Sequence, residues 1–287
     1  MKTRLIVAAI GIPLLLAVIF LLPPWVFGIL LGGASAVAAL ELLSATRSID
    51  RRRVMIYCVV SAFLIPVSMS LSTQMAGGLF VAALLLMALF LEAILSYDTK
   101  RAMSLPHICL SFFGGAVIPL MLGTLATLRA IPDGYAFGEA SLFFDGRVYV
   151  LIPIVIAFLS DAGCYFAGSN LGRHKLIEKV SPNKTIEGSL GGFLSTLAAL
   201  LVFTLIMILA FDATYNLLAV LFYGVFGSAV TQLGDLAFSM VKRECGKKDF
   251  GHLIPGHGGM LDRLDSMVLL APFVTALVFL MPIFLQG

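Results

Sequence analysis

Long apolar stretches recur along the chain, and shorter polar or turn-forming segments separate them. A helix needs about 20 mostly apolar residues to cross the ~30 Å hydrocarbon core of a bilayer. The pattern therefore predicts an all-α, polytopic membrane protein with nine transmembrane helices, whose termini lie on opposite faces. We place these helices at 5–22, 25–43, 54–71, 77–95, 108–128, 149–168, 189–210, 216–238 and 267–285.

The composition agrees with this pattern, because 60% of the residues are hydrophobic and only 12% are charged. Soluble domains are roughly half apolar and a quarter charged, so the class of ordinary soluble proteins is excluded. Lys2 and Arg4 precede the first apolar stretch, as they would in a secretion signal. No small-residue cleavage site follows, and we therefore expect a retained helix.

The basic residues are unevenly distributed in the nine-helix arrangement. All but Arg129 and Arg147 of the 19 lysines and arginines fall on the face that holds the N-terminus. Short loops rich in Lys and Arg stay cytoplasmic, so we place the N-terminus and the long loops 169–188 and 239–266 on the cytoplasmic side of the cell (inner) membrane. The net charge of +3 is then explained by basic residues at the cytoplasmic surface, which face anionic lipid headgroups. It does not indicate nucleic-acid binding.

The chain divides into two halves of different character. Residues 1–128 form predicted transmembrane helices with little chemistry, and we interpret them as a scaffold. Glu41 and Glu92 lie near predicted cytoplasmic helix ends, where we expect them to anchor the helices rather than to catalyse. Residues 129–287 form the second half, which contains the polar, cytoplasm-facing loops.

Asp161 lies inside the apolar stretch of the sixth predicted helix. A carboxylate at membrane depth costs on the order of 2.5–3.5 kcal/mol on insertion scales. We therefore expect Asp161 to face a polar cavity, and the alternative is a hydrogen bond that packs two helices together.

The segment "SPNKTIEG" follows that helix and begins at Ser181. Its lysine, Lys184, and the hydroxyls of Ser181 and Thr185 are suited to holding a phosphate. The segment lacks the Gly-x-x-x-x-Gly-Lys pattern of a Walker loop, so this signal is weak by itself. Ser181 is also a candidate helix N-cap, with Pro182 at the first helical position.

Acidic residues lie at the ends of the last two predicted helices. Asp235 is near the end of the eighth, Ser239 is on the same face one turn later, and Asp262 and Asp265 open the ninth. Two neighbouring carboxylates need a cation, and hard oxygen ligands beside phosphate suit Mg²⁺, with room for a second cation. The basic residues available for a polyanion nearby are Lys242, Arg243, Lys247, Lys248 and Arg263.

Glycines in the connecting loop allow a backbone to approach a ligand closely. Carboxylates for metal and cations for phosphate together predict phosphoryl or nucleotidyl transfer at the membrane surface. Zinc is disfavoured, because His252 and His257 are five apart in a Pro/Gly-rich turn rather than on one helical face. A transporter of a phosphorylated or anionic solute stays open as an alternative, although the chain has no inverted repeat.

Residues 239–265 also resemble the signature of the CDP-diacylglycerol synthases, or phosphatidate cytidylyltransferases. The segments "SDAGCYFAG", "SPNKTIEG" and "QLGDL" are similar to that family's other motifs and occur in the same order. Asn183 stands where the family usually has a lysine, and the family often has a basic residue near Ser169. The matching signature positions are Ser239, Lys242, Arg243, Lys248, Asp249, Pro255, His257, Gly258, Gly259, Asp262, Arg263 and Asp265.

The resemblance implies the reaction of CTP with phosphatidate to give CDP-diacylglycerol and pyrophosphate. It implies Asp235 and Asp262 as metal ligands with Asp265 next, and Asp161 as the floor of the cavity. The implied phosphate-binding and substrate-contacting residues are Lys242, Arg243, Lys248, Arg263, His257, Ser181, Lys184, Thr185, Ser239, Gly258 and Gly259.

The implied partners are CTP, phosphatidate and membrane lipids, without nucleic acid, and a homodimer is compatible with this picture. A different lipid-phosphate transferase, a CDP-alcohol phosphotransferase, would require the motif Asp-Gly-x-x-Ala-Arg. That motif is absent from the sequence.

Overall fold

A computed structural model of the protein describes residues 2–46, 52–98, 102–137, 140–251 and 258–285. For 2–10, 137, 140–141 and 285 it describes the backbone alone.

Helices dominate the described residues, and a π-helical turn, Phe113–Val117, joins α5 to α6. The helices are α1 (Lys2–Leu21), α2 (Pro24–Ala45), α3 (Arg52–Met69), α4 (Ala76–Leu95), α5 (Leu105–Phe112), α6 (Ile118–Arg129), α7 (Gly146–Leu171), α8 (Ile186–Phe211), α9 (Leu217–Glu244) and α10 (Leu261–Leu280).

Among the described residues, eight helices are long and apolar enough to span a membrane when Leu105–Arg129 is taken as one. The first segment adds a shorter apolar helix, Gly11–Leu21. The predicted all-α, multi-pass membrane fold is therefore confirmed, and the expected nine crossings are close to the observed number. The bounds differ most at the last two helices: α10 begins six residues earlier than predicted, at Leu261, and α9 continues to Glu244 and so includes Lys242 and Arg243.

In the part of the chain that the structure describes, six short strands form three antiparallel pairs outside the helices. The strands are β1 (Ala136–Phe137), β2 (Ala140–Ser141), β3 (Lys175–Ile177), β4 (Ser181–Thr185), β5 (Thr214–Tyr215) and β6 (Phe284–Leu285). β1 pairs with β2, β3 with β4, and β5 with β6.

The predicted helix N-cap at Ser181 is wrong, because Ser181 begins β4 and pairs with Ile177 of β3. The helix begins at Ile186 instead, and the cap is Thr185, whose hydroxyl accepts a hydrogen bond from the Gly188 N–H at 3.1 Å. Both residues are good caps by type. Pairing with β3 keeps the backbone extended through Thr185, and this postpones the start of the helix by one turn.

The chain forms two compact units. The first comprises Met1–Ala130 with Glu244–Leu264, and the second comprises Ile131–Arg243 with Asp265–Gly287. Our division at residue 128 placed the loop before α10 with the second half, whereas this loop belongs to the first unit. The assignment of scaffold and catalytic roles to the two halves stays a prediction.

The core of the first unit is built from apolar side chains of α2 to α6. The π-helical turn packs against α3, where the Ser61 hydroxyl donates to the Gly115 carbonyl at 2.7 Å. Pro119 lies four residues after Gly115 and has no N–H to give to that carbonyl. The Ser61 hydroxyl therefore supplies a donor that Pro119 cannot. The buried side chains of this core include Leu43, Val54, Cys58, Ile65, Met69, Leu85 and Leu89.

Arg129 is buried in the first unit, although we had assigned it to an external loop. Its guanidinium donates to the carbonyls of Ile19 and Leu22, at 2.8 and 2.9 Å. These carbonyls lie at the C-terminal end of α1, where no intrahelical donor is available. Arg129 thus caps α1 and fixes it to α6.

Candidate active site

The second unit is organised by a close crossing of α7 and α8. A Cβ atom added to Gly163 or Gly191 would overlap atoms of the facing helix. The Ser195 hydroxyl donates across the crossing to the Leu159 carbonyl at 2.7 Å. Small residues and hydroxyl donors are the usual means by which membrane helices approach closely. The crossing holds the face of α7 that bears Asp161 beside the first turns of α8.

A hairpin formed by β3 and β4 precedes α8 and is fixed to its first turn. The Glu187 carboxylate accepts hydrogen bonds from the N–H groups of Arg173 and His174, at 3.0 and 3.2 Å. It also pairs with Nδ1 of His174 at 2.6 Å. A carboxylate in the first turn is favoured by the helix dipole, so Glu187 stabilises the helix start and also holds the residues that lead into β3, the strand paired with β4.

A pocket of about 260 Å³ lies within the second unit. Inside it, Nζ of Lys184 is 2.5 Å from Oδ2 of Asp235, and the two side chains are 24% and 30% exposed. Partial exposure leaves both charges accessible to a ligand that enters the pocket. The structure places Asp161 in the lining, as we expected of an acid in an apolar helix. The polar and charged side chains that line the pocket include Asp161, Lys184, Thr185, Ser189, Gln232 and Asp235.

Gln232 is a lining residue that the sequence reasoning missed. Its Oε1 accepts from the Ser189 hydroxyl at 2.5 Å, and its Nε2 donates to the Ser228 hydroxyl at 3.1 Å. Gln232 is buried, and a buried amide requires such partners. A glutamine one turn before Asp235 on an apolar helix was the available signal. We had treated it only as part of the motif "QLGDL".

The end of α9 brings a second lysine–carboxylate pair together. Gly234 allows α10 to approach, since its added Cβ would lie 3.0 Å from the Asp265 carbonyl oxygen. Nζ of Lys242 is 3.4 Å from Oδ2 of Asp265, and these side chains are only 11% and 10% exposed. The Ser239 hydroxyl donates to Oδ1 of Asp235 at 3.4 Å, which confirms that these two residues share a helix face.

The remaining predicted phosphate-binding residues are more exposed. Nε of Arg243 donates to the Val180 carbonyl at 3.4 Å, next to the start of β4. Lys248 and Arg263 are exposed and belong to the first unit. His257 lies outside the described residues.

Asp262 stabilises a tight turn at the start of α10, in the first unit. Its Oδ2 accepts hydrogen bonds from the N–H groups of Phe250 and Gly259, both at 2.9 Å. Gly258 has a φ of +83°, a conformation that side-chain-bearing residues rarely adopt. Asp235 and Asp265 belong to the second unit. We expected Asp235 and Asp262 to bind one metal ion together. Because the two residues belong to different units, this expectation stays a prediction.

Among the described residues, no group of three or more His, Cys, Asp or Glu side chains is arranged to hold a metal ion. This arrangement is compatible with Mg²⁺, which usually takes one or two carboxylates, several waters and substrate phosphates. Asp235 and Asp265 offer hard oxygen ligands of this kind, and each is accompanied by a lysine suited to a phosphate.

A model described as the cytidylyltransferase family matches residues 2–281. The chain belongs to the cytidylyltransferase family. The motifs that resemble those of the CDP-diacylglycerol synthases lie within this match, which includes the N-terminal helices as well.

Curated relatives include proteins named phosphatidate cytidylyltransferase from three bacteria. The protein from Haemophilus influenzae is 31% identical over 97% of this chain and 99% of its own length. The protein from Bacillus subtilis is 41% identical, and the alignment spans 55% of this chain and 58% of that relative. The protein from Staphylococcus haemolyticus is 39% identical over 48% of this chain and 51% of its own length. These relatives give no support to the transporter alternative.

Proposed function

We propose that this cytidylyltransferase-family protein is a phosphatidate cytidylyltransferase, which converts CTP and phosphatidate into CDP-diacylglycerol and pyrophosphate in phospholipid biosynthesis. The observation that carries the proposal is the match to the Haemophilus influenzae protein of that name over 97% of the chain. The charged groups of the second unit are consistent with it.

The reaction joins two polyanions. A phosphate oxygen of phosphatidate forms a new bond to the α-phosphorus of CTP, the bond from that phosphorus to the β-phosphate oxygen breaks, and pyrophosphate leaves with the electron pair. The phosphate monoester is already an anionic nucleophile, so the reaction needs neither a covalent enzyme intermediate nor a strong base. The tasks of the protein are to align the reactants and to neutralise their charge.

Two lysine–carboxylate pairs are suited to these tasks. Lys184 with Asp235 lines the pocket, and Lys242 with Asp265 follows at the meeting of α9 and α10. In each pair the lysine is assigned to phosphate oxygens and the carboxylate to a cation. Mutual pairing keeps both charged groups in place at little electrostatic cost, because opposite charges a few Å apart attract.

Mg²⁺ is the cation that these ligands fit. Asp235 and Asp265 would hold it, and the family resemblance also implies Asp262 as a ligand. When bound, the ion supplies electrostatic stabilisation of the charge that develops on the phosphates. The same carboxylates are compatible with a second cation. Arg243, Lys248, Arg263 and His257 are assigned to the substrates by resemblance, together with Ser181, Thr185, Ser239, Gly258 and Gly259.

The proposed site faces the cytoplasm of the cell (inner) membrane. Support for this orientation comes from the basic residues, which fall almost entirely on one face of the helical arrangement. The proposed orientation is also the side on which a soluble nucleotide substrate is available.

A direct assay tests the proposed activity. The full chain is purified in detergent and incubated with Mg²⁺, phosphatidate and CTP labelled in the cytidine moiety. We expect the label to move into a lipid-extractable product with stoichiometric release of pyrophosphate. Diacylglycerol, which lacks the phosphate nucleophile, is the matched control and should give no product. Failure to form lipid-linked cytidine from phosphatidate would contradict the proposal.

A further inference from the structure

Glu41, on α2, contacts the start of a helix more than 200 residues later in the chain. Its Oε1 accepts a hydrogen bond from the Met260 N–H at 2.9 Å, and its Oε2 accepts from the Leu261 N–H at 2.8 Å. All three residues belong to the first unit. These N–H groups open α10, where a helix has no internal acceptors for its first donors. The carboxylate of one helix therefore caps another.

The chain on either side of the preceding loop fits closely around this carboxylate. A Cβ atom added to Gly251 or to Gly259 would overlap the carboxylate of Glu41. Neither glycine has a positive φ, so the requirement for glycine here is one of space and not of backbone conformation. Glu41 is thus enclosed by the segment whose position it fixes.

The turn fixed by Glu41 also includes Asp262. Three successive N–H groups are shared between two carboxylates: that of Gly259 donates to Asp262, and those of Met260 and Leu261 donate to Glu41. Asp262 reaches back to Gly259 in its own turn and to Phe250 before the loop, whereas Glu41 comes from a separate helix. Glu41 therefore fixes the turn relative to α2.

We propose that Glu41 is a positioning residue for cytidylyl transfer: it sets the location of the turn 258–261 and thereby presents Asp262 to the cation. This inference rests on the proposed function. Both oxygens of Glu41 accept hydrogen bonds from the backbone of the turn, so its carboxylate is directed at the turn. Hydrogen bonds to a charged acceptor are about twice as strong as neutral ones, which makes Glu41 an effective anchor.

The test compares Glu41→Gln with the wild-type full chain in the CTP and phosphatidate assay, with Mg²⁺ as the varied component. The glutamine side chain has nearly the same shape, but its NH₂ group would face a backbone N–H donor. We expect kcat to fall by about tenfold or more, which is at least ~1.4 kcal/mol. The Mg²⁺ concentration for half-maximal rate should rise by at least about threefold, because a misplaced Asp262 binds the cation less well. The KM for CTP should change little.

Glu92→Gln is the matched control, since Glu92 also lies within the last turn of a membrane-spanning helix of the same unit. It should leave kcat and the Mg²⁺ dependence unchanged. Gly251→Ala is a second variant that tests the same contact from the opposite side, because its methyl group must displace the Glu41 carboxylate. It should reproduce the Glu41→Gln signature, and it keeps the test available if Glu41→Gln fails to fold.

Amide hydrogen exchange of the peptide that contains Met260 and Leu261 provides a readout independent of activity. Faster exchange in Glu41→Gln, together with the shifted Mg²⁺ dependence, supports the proposal. Faster exchange with unchanged kcat and Mg²⁺ dependence would show a purely structural cap and overturn it. Unchanged exchange would contradict the hydrogen bonds from Met260 and Leu261 to Glu41. An inactive wild-type chain would refute the proposed reaction and the role of Glu41 in it, while exchange would still report on the cap.

Discussion

Replacing Asp262 with asparagine distinguishes a structural role of this residue from a role as a metal ligand. In the structure, Oδ2 of Asp262 accepts two backbone N–H groups at 2.9 Å. The amide oxygen of asparagine has two lone pairs and can accept both. The substitution therefore keeps the hydrogen-bonded turn and removes the negative charge.

A structural role and a metal-ligand role of Asp262 predict losses of activity of different size. A neutral hydrogen bond contributes about 1 kcal/mol and a charge-assisted one about twice that, so two weakened bonds cost about 2 kcal/mol of stability. The lost interaction with the helix dipole adds about 0.3–1 kcal/mol. A folded protein tolerates this change with its turnover largely intact. Loss of a metal ligand instead removes several kcal/mol of transition-state stabilisation, and we expect activity to fall at least about a thousandfold.

The assay measures kcat at saturating CTP and Mg²⁺ in the purified, folded variant. Asp212→Asn is a suitable control, because Asp212 is exposed and its φ of 52° is well tolerated by asparagine. It should retain wild-type turnover. Asp235→Asn should match Asp262→Asn, and the double variant should lose little more, since residues that serve one centre are not additive. A folded Asp262→Asn protein with more than about a tenth of wild-type activity would refute the ligand assignment.

Three further outcomes are expected. Lys242→Met should lower kcat/KM by at least about tenfold in the same assay, because Lys242 is nearly buried beside Asp265; a change below about 1 kcal/mol, the usual ceiling for an exposed ion pair, would indicate only a solvated charge. Thr185→Ala should lower the thermal unfolding midpoint in detergent by the equivalent of about 1 kcal/mol, through loss of the α8 cap, whereas Thr185→Ser should not. In a cysteine-free background, Arg147→Cys and Lys247→Cys should label from opposite sides of sealed cells with an impermeant thiol reagent, and labelling from one side would contradict the membrane orientation.

Residues close together in sequence were the predictable part of the site. Helical periodicity placed Ser239 one turn after Asp235, and the two side chains are hydrogen-bonded. The apolar stretches likewise located the membrane helices, because the bilayer imposes a minimum helix length. Both inferences depend on local geometry alone.

Contacts between distant segments were not predictable. Glu41 was expected only to anchor its own helix end. Nothing in the sequence of α2 shows that the N–H of Met260 needs a hydrogen-bond acceptor from that helix. Ser181 was misassigned for a similar reason: its conformation depends on pairing with Ile177 in another strand. A local cap pattern shows which residues are able to begin a helix, whereas tertiary pairing decides which one does.

The hydrogen bond between the π-helical turn and α3 joins two segments that are synthesised at different times. A backbone group without a partner in lipid costs several kcal/mol, and the Gly115 carbonyl accepts from Ser61 of α3 in place of the donor that Pro119 lacks. Ser61 is synthesised before Gly115, so its hydroxyl is already in the chain when the 105–129 segment leaves the ribosome. During co-translational insertion, the Gly115 carbonyl therefore enters a membrane in which the Ser61 hydroxyl of α3 is already present. Separately expressed halves, divided between α3 and α5, would have to meet by lateral diffusion before this hydrogen bond could form.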